Sequence, residues 1–342
     1  MKLFRLLSLA LGLGLFGFLL AQADLGAVVY HVGRLGWAGA LAIPAVSMLP
    51  FFFDTWSWHM LLTPARPGLG WFADLWKIRA VGSAVSKITP VVGAAGEPVK
   101  AMMLKRLYGI PYGEGIASLV LAKTANMLAL VVFVAIGVAL ALTDDLLPAS
   151  YKLVVAAGFA ALALSIGGFF ALQRLRLSSA FGIWLSRGPL GPRIEGLLHH
   201  LHDMDDRLTR TYTSDRARFL AATFLTFLNW ILVAAELYLI FWFMNRPVGV
   251  AEAIVITVTL ELARVGTFFI PLSIGAEEAT LAVVVTSITG EAGLGLAVAF
   301  VRRYRELLWI ALGILLAWQM TGRSQAPMGA LLRASEYDRP LR

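Results

Sequence analysis

Apolar residues run along this chain in long blocks, and the short segments between them are rich in lysine and arginine. Crossing a bilayer core about 30 Å thick takes about 20 apolar residues in helical form. Six blocks meet that length, at 4–22, 37–62, 114–142, 152–172, 219–243 and 292–320. Two further stretches, 71–110 and 250–290, are mostly apolar but interrupted by proline, glycine and charge. They predict broken hairpins rather than plain spans. Proline removes a backbone donor and glycine permits a tight turn, and such backbone is tolerated at membrane depth only inside protein or beside a watery cavity. The expected fold is all-α and polytopic, with about six transmembrane helices and two broken re-entrant hairpins.

Orientation follows from where the basic residues fall. Lys2 and Arg5 put the N-terminus in the cytoplasm, and the loop carrying Arg66, Lys77 and Arg79 falls on the same side. Asp144 and Asp145 fall outside, the arginine-rich connector 173–218 inside, and the tail with Arg323, Arg333, Arg339 and Arg342 inside. On that count 71–110 begins and ends inside, whereas 250–290 begins and ends outside. The two hairpins dip from opposite faces.

A shift of 181 positions without a gap carries Pro90 to Pro271, Glu97 to Glu278, Ala101 to Ala282 and Gly109 to Gly290. Each half then reads as two spans, a hairpin and one span. Three crossings per half is an odd number, so the second half is inverted relative to the first. The expected units are 1–145, 146–320 and a cytoplasmic tail, 321–342. Residues 1–23 also fit a leader, with a basic start, an apolar run and Ala21-Gln22-Ala23 at its end. The repeat needs this block as the counterpart of the fourth span, so it is read as retained. Inverted repeats with broken helices are a recurrent plan of secondary transporters, with binding at the repeat interface.

Composition narrows the function classes. Hydrophobic residues make up 59% of the 342 and charged residues 15%, with mean hydropathy +0.77. Soluble domains carry about 25% charged residues, so this chain lacks the polar surface to face water all round. Its formal charge of +8 sits largely between the apolar blocks, where anionic lipid headgroups rather than nucleic acid would meet it. The absence of cysteine excludes disulfides, iron–sulfur clusters and thiol catalysis. No phosphate-binding loop, zinc-protease motif or nucleophile elbow occurs, so no catalytic residue, cofactor or metal is expected. His199, His200, His202, Asp203, Asp205 and Asp206 have no zinc-ligand spacing and read as the wet face of a cytoplasmic helix.

The candidate site lies at the hairpins. The tips carry Pro90, Gly93 and Gly96 in the first half and Pro271 and Gly275 in the second, each followed by a carboxylate, Glu97 or Glu278. A carboxylate suits the positive end of a helix, and the same N–H groups suit a phosphate. Basic partners follow: Lys100, Lys105 and Arg106 in the first half, and Arg302, Arg303 and Arg305 in the second. With one gap, Lys123 aligns with Arg303 and Asn126 with Glu306, each pair spaced to share a helical face. Lys105 and Arg106 read as interfacial, Glu261 and Arg264 as an internal pair or a substrate contact, and Lys87 as lying near the first tip. Asp54, His59, Asn229 and Glu236 interrupt two spans and read as helix-to-helix hydrogen-bonding groups, with proton coupling the alternative for Asp54 and Glu236.

The runs Pro90-x-x-Gly93-x-x-Gly96-Glu97-Pro98-Val99-Lys100, Lys123-x-x-Asn126, Pro271-x-x-x-Gly275-x-x-Glu278 and Arg303-x-x-Glu306 resemble the lysylphosphatidylglycerol synthase transmembrane region, over about 30–322. The resemblance implies a flippase-like protein of the bacterial cytoplasmic (inner) membrane that moves a polar lipid, anionic or aminoacylated, between leaflets. It carries Glu97, Lys100, Lys123, Glu278 and Arg303 over as substrate-binding residues. Lys123 stands where the family usually has arginine, and Asn126 where it often has an acid. The sequence ends at Arg342 without the soluble aminoacyl-transfer domain of full-length synthases, so synthesis of lysyl lipid is not expected. The alternative readings are an intramembrane lipid-modifying enzyme, or an accessory or scaffold of lipid biosynthesis such as that of hopanoids. Membrane lipids are the expected partners, and lipid-biosynthesis proteins join them under the alternatives.

Overall fold

The computed structural model describes residues 2–62, 68–88, 95–143, 148–174, 215–291 and 293–322, and in these the chain is helical with no strand. The first half comprises α1 (Lys2–Gln22), α2 (Leu25–Arg34), α3 (Gly36–Val46), α4 (Met48–Leu61), α5 (Leu69–Ile88), α6 (Gly96–Tyr108) and α7 (Tyr112–Thr143). The second comprises α8 (Ala149–Arg174), α9 (Arg216–Phe243), α10 (Val250–Gly266), α11 (Ala276–Thr289) and α12 (Leu294–Gly322). Pro90, Gly93, Asp144, Asp145 and the histidine–aspartate cluster lie outside the described residues, as do most of the connector and the tail.

Among the described residues, four helices are long and apolar enough to cross a membrane: 36–61, 112–143, 151–168 and 216–243. A fifth candidate is the pair Ala10–Gln22 and Leu25–Arg34, bent by 93°. The sequence pattern carries no sign of α2 as a helix of its own. Asp24 starts it by accepting a hydrogen bond from the Ala27 N–H at 3.1 Å. The expected second span is one apolar stretch in two pieces, α3 and α4. Pro44 cannot continue the backbone ladder, and the Ser47 hydroxyl donates to the Pro44 carbonyl at 2.7 Å across the break. The expected last span, α12, is 29 residues long, but Arg302, Arg303, Arg305 and Glu306 keep it out of the apolar class.

Both interrupted stretches are pairs of helices around a break. In the first, α5 and α6 flank the tip; in the second, α10 and α11 flank 267–275, which holds a short 3-10 turn at Pro271–Ser273. The trailing helices end alike. Gly109 and Gly290, matched by the 181-residue shift, adopt φ of +69° and +73°, and their N–H groups donate to Lys105 and Thr286 carbonyls. A side chain other than glycine's would strain that left-handed cap.

Packing partners exchange between halves. Each trailing helix packs on its own half's last helix, α6 on α7 and α11 on α12. Each leading helix packs on the other half's last helix, α5 on α12 and α10 on α7, and α4 packs on α9. The expected counterparts α1 and α8 depart from this scheme: α1 packs on α11, whereas α8 packs on α7 and α10. Where apolar surface faces lipid anyway, close approach of small residues holds helices together. Accordingly a Cβ on Gly313 of α12 would stand 2.7 Å from the Ala80 carbonyl oxygen of α5, and one on Gly295 would stand 2.2 Å from that of Leu281 in α11.

Candidate functional site

A cavity of about 610 Å³ opens where the halves meet. The first half contributes Ser86 and Lys87 of α5 and Lys123 of α7; the second contributes the end of α10, the tip, the start of α11 and one face of α12. Six basic side chains line it: Lys87, Lys123, Arg264, Arg302, Arg303 and Arg305. Among the described residues, only three carboxylates accompany them, Glu277, Glu278 and Glu306. The wall is formally three charges positive. Its apolar part is Val265, Phe268, Phe269, Ile270 and Leu272, and Phe268 is 65% exposed.

Arg303 ties the second hairpin to α12. Its Nε donates to Glu278 Oε1 at 2.7 Å, Nη1 to Glu306 Oε2 at 2.5 Å, and Nη2 to the Leu272 carbonyl at 2.9 Å. Leu272 and Ser273 hold φ of +55° and +48°, a backbone state that side chains resist, so the contact to Leu272 steadies a strained turn. Glu278 fills a second role by accepting from the Gly275 N–H at 2.7 Å. It thus caps the helix it begins, as a carboxylate at this position does well. Glu277 accepts from Arg302 Nη2 at 2.9 Å and Arg264 Nη2 at 3.0 Å. Arg264 also pairs with Glu261 at 2.6 Å, so the internal pair of the two sequence readings exists and reaches the cavity besides. Lys87 pairs with Glu306 across the halves.

The structure therefore gathers Lys123, Glu278, Arg303 and Glu306 at one cavity. It keeps Glu97, Lys100 and Asn126 off the wall. Lys100 is buried and donates to Glu97 Oε1 at 2.8 Å, within one helix. Glu97 and Glu278, equivalent by position, thus do different jobs: one pairs along its own helix, the other with a neighbouring helix. Asn126 is half-buried one turn beyond Lys123. Lys105 and Arg106 are exposed. Among the tip residues, Gly96 sits in contact with Gly82 and Ser86, and its N–H donates to Ser86 Oγ at 3.0 Å.

Several groups were less visible in the sequence. Glu277 is the shared acceptor of two arginines, and only its place beside Glu278 at a helix start hinted at it. Glu236 and Asp54, read as hydrogen-bonding groups, are in ion pairs. Arg305 Nη1 donates to both Glu236 oxygens at 2.6 Å, and Arg79 pairs with Asp54. A second cavity of about 190 Å³, lined by Asp54, Asn229 and Trp309, adjoins the first through Lys87 and Arg305, which line both.

Three lines of comparison complete the picture. The family model for the lysylphosphatidylglycerol synthase TM region matches residues 5–314. No curated protein and no solved structure matches significantly.

Proposed function

The chain belongs to the lysylphosphatidylglycerol synthase TM region family and is a multi-pass membrane protein of lipid metabolism or transport; from that premise we propose that it is a lipid transporter that carries a phosphate-bearing headgroup between leaflets. The observation that carries this reading is the cavity at the junction of the halves, lined by both basic and apolar side chains. A charged group facing lipid costs about 2.5–3.5 kcal/mol on insertion scales, so a wall of this kind earns its place by meeting a charged ligand. The headgroup phosphate would take the arginine and lysine donors, and the acyl chains would leave past Phe268 and Phe269.

The halves are two inverted repeats in this reading, and the exchange of packing partners supports it. So do the matched caps Gly109 and Gly290. The two hairpins would enter from opposite faces, and the shared cavity would open to each leaflet in turn as one half rocks against the other. Glu278 and Glu306 hold Arg303 when the headgroup is absent and release it to phosphate when it is present. The protein catalyses no bond change in this account.

Leaflet exchange of fluorescent phospholipids in liposomes containing the purified protein, beside Glu278→Gln, tests the proposal. Glutamine keeps an oxygen for the Gly275 N–H but loses the charge that holds Arg303. Exchange by the wild type that falls at least about tenfold in a correctly inserted mutant, the scale of a lost charged contact, supports transport through this site. No exchange by the wild type with any headgroup defeats it.

A further inference from the structure

The small cavity beside the large one holds polar groups that headgroup binding does not use. Its volume is about 190 Å³, room for several waters at about 30 Å³ each. Asn229 of α9 is 8% exposed and lines it, and none of the described residues hydrogen-bonds the side-chain amide. Asp54 of α4 gives Oδ2 and its backbone carbonyl to Arg79 of α5, and its Oδ1 has no partner among the described residues. The buried Nε atoms of Arg79 and Arg305 are unpartnered as well. Groups like these are rarely left dry, and water is the partner that a polar cavity of this size provides.

The charges around that water are balanced. Asp54, Lys87 and Arg305 line the wall, and their partners are Arg79, Glu306 and Glu236. Two cations on the wall repel a metal ion, whereas a proton needs only a carboxylate oxygen and a file of water. Glu306 divides its oxygens between Lys87 and Arg303, and Glu236 gives both of its own to Arg305. Of these three carboxylates, Asp54 is the one with an oxygen to spare. Other charges on the helices packed against α4 are engaged elsewhere: Asp74 and Lys77 of α5 pair with each other, and Arg218 of α9 donates to the Leu62 carbonyl. Arg216 of α9, Glu114 and Lys123 of α7 and His59 of α4 itself complete the charged groups and histidines there, and α3 carries none.

We infer that the small cavity is a proton site, in which Asp54 takes up a proton from the cavity water and releases Arg79 to Glu97, coupling lipid movement to a proton gradient. The inference rests on the transport reading and names what drives it. Arg79 has a second acid within electrostatic reach, because Glu97 of α6 acts on it. Glu97 Oε2 takes no hydrogen bond from the described residues, since Lys100 uses Oε1. Protonation neutralises Asp54, and Arg79 then trades a partner on α4 for one at the start of α6. That helix trails the first hairpin's tip, so the proton acts on the hairpin that must move. The step balances without any other reactant: one proton enters from water at Asp54 Oδ1, and one leaves to water on the opposite side once the hairpin has moved.

The test has two arms, both on the purified full chain. In liposomes, a fluorescent phosphatidylglycerol is followed between leaflets under an imposed pH gradient, and separately under a sodium gradient at equal pH, with protein-free liposomes as the baseline. We expect the wild type to concentrate the lipid in one leaflet under the pH gradient, by up to about tenfold per pH unit at one proton per lipid, and to ignore sodium. Exchange that leaves the leaflets at the protein-free ratio under a pH gradient, or accumulation driven by sodium, overturns the coupling. In detergent, infrared difference spectra between neutral and acidic buffer read carboxyl protonation directly. A protonated-carboxyl band of the wild type should be missing from Asp54→Asn. Glu97→Gln, which removes the second acid from Arg79, should make that band appear only at a proton concentration at least about threefold higher. This second variant reads the same site if Asp54→Asn fails to insert, and an unmoved band there overturns the handover. A full set of bands in a correctly inserted Asp54→Asn protein overturns Asp54 as the site. If the band is lost in Asp54→Asn while no lipid exchanges under any gradient, the proton site stands and the transport reading falls.

Discussion

Lys87 and Glu306 are ion-paired across 219 positions of sequence, joining the end of the first hairpin's leading helix to the last helix of the second half. Glu306 is shared, because its other oxygen holds Arg303. A ligand phosphate that draws either cation away weakens the link between the halves. The bridge is therefore placed to couple site occupancy to the relative position of the two hairpins.

Lys87→Met and Glu306→Gln should each lower thermal stability, and the double variant should lose less than their sum. Neighbouring charges in one network couple by about 0.5–3 kcal/mol. A double-mutant cycle on unfolding of the purified protein in detergent measures the coupling. Strict additivity would mean that the pair bears no load.

Arg303→Lys should abolish exchange although charge is conserved. The guanidinium reaches Glu278, Glu306 and the Leu272 carbonyl at once, and a lysine ammonium is a single point that cannot span that fork. We expect exchange to drop by about two to four orders of magnitude, as loss of two charge-assisted hydrogen bonds at about 1.5–3 kcal/mol each would allow. Wild-type exchange by a well-inserted Arg303→Lys protein would remove the fork from the mechanism.

Much of this arrangement was legible from spacing alone. Arg303 and Glu306 are set on one helical face by an interval of three, and proline and glycine mark where the second hairpin breaks, so the tip and that one pair were readable. Glu97 and Lys100 were readable as a pair, but not as one outside the cavity lining, because which face of a helix is buried depends on neighbours that sequence does not order. Sequence separation hid Arg305 with Glu236 and Lys87 with Glu306. A helix pattern states which residues share a face and is silent on which distant helix that face meets. The short helix α2 was missed for a different reason. It follows a bend of 93°, and its apolar positions merge with the blocks on either side.

Glu236→Gln should be among the most destabilising single changes. Glu236 is 1% exposed and gives both oxygens to Arg305, so neutralising it leaves a charge enclosed without its partner. Breaking a buried pair costs about 3–5 kcal/mol, whereas replacing both members by apolar residues is often near neutral. Glu236→Leu combined with Arg305→Met should accordingly recover thermal stability. It should not recover exchange, since Arg305 also lines the cavity. Recovery of both would assign Arg305 to packing alone.

Gly96→Val should separate the helices of the first hairpin. A Cβ at Gly96 would lie 2.2 Å from both the Gly82 carbonyl oxygen and Ser86 Oγ. The Gly82 contact is backbone, which cannot swing aside as a side chain can. Overpacking of this kind costs about 1–3 kcal/mol, and moving α6 away from α5 would also break the Gly96 N–H to Ser86 bond. Gly82→Ala tests the same interface from the other side but through a softer neighbour. Its Cβ would meet Lys100 Cγ at 2.5 Å, and a flexible side chain can yield. Gly82→Ala should therefore cost less stability than Gly96→Val while disturbing the Lys100–Glu97 pair more directly. Thermal unfolding of the two variants gives the order of stability. If Gly82→Ala proved the more damaging, the tight point of the hairpin would be the lysine stem and not the backbone crossing.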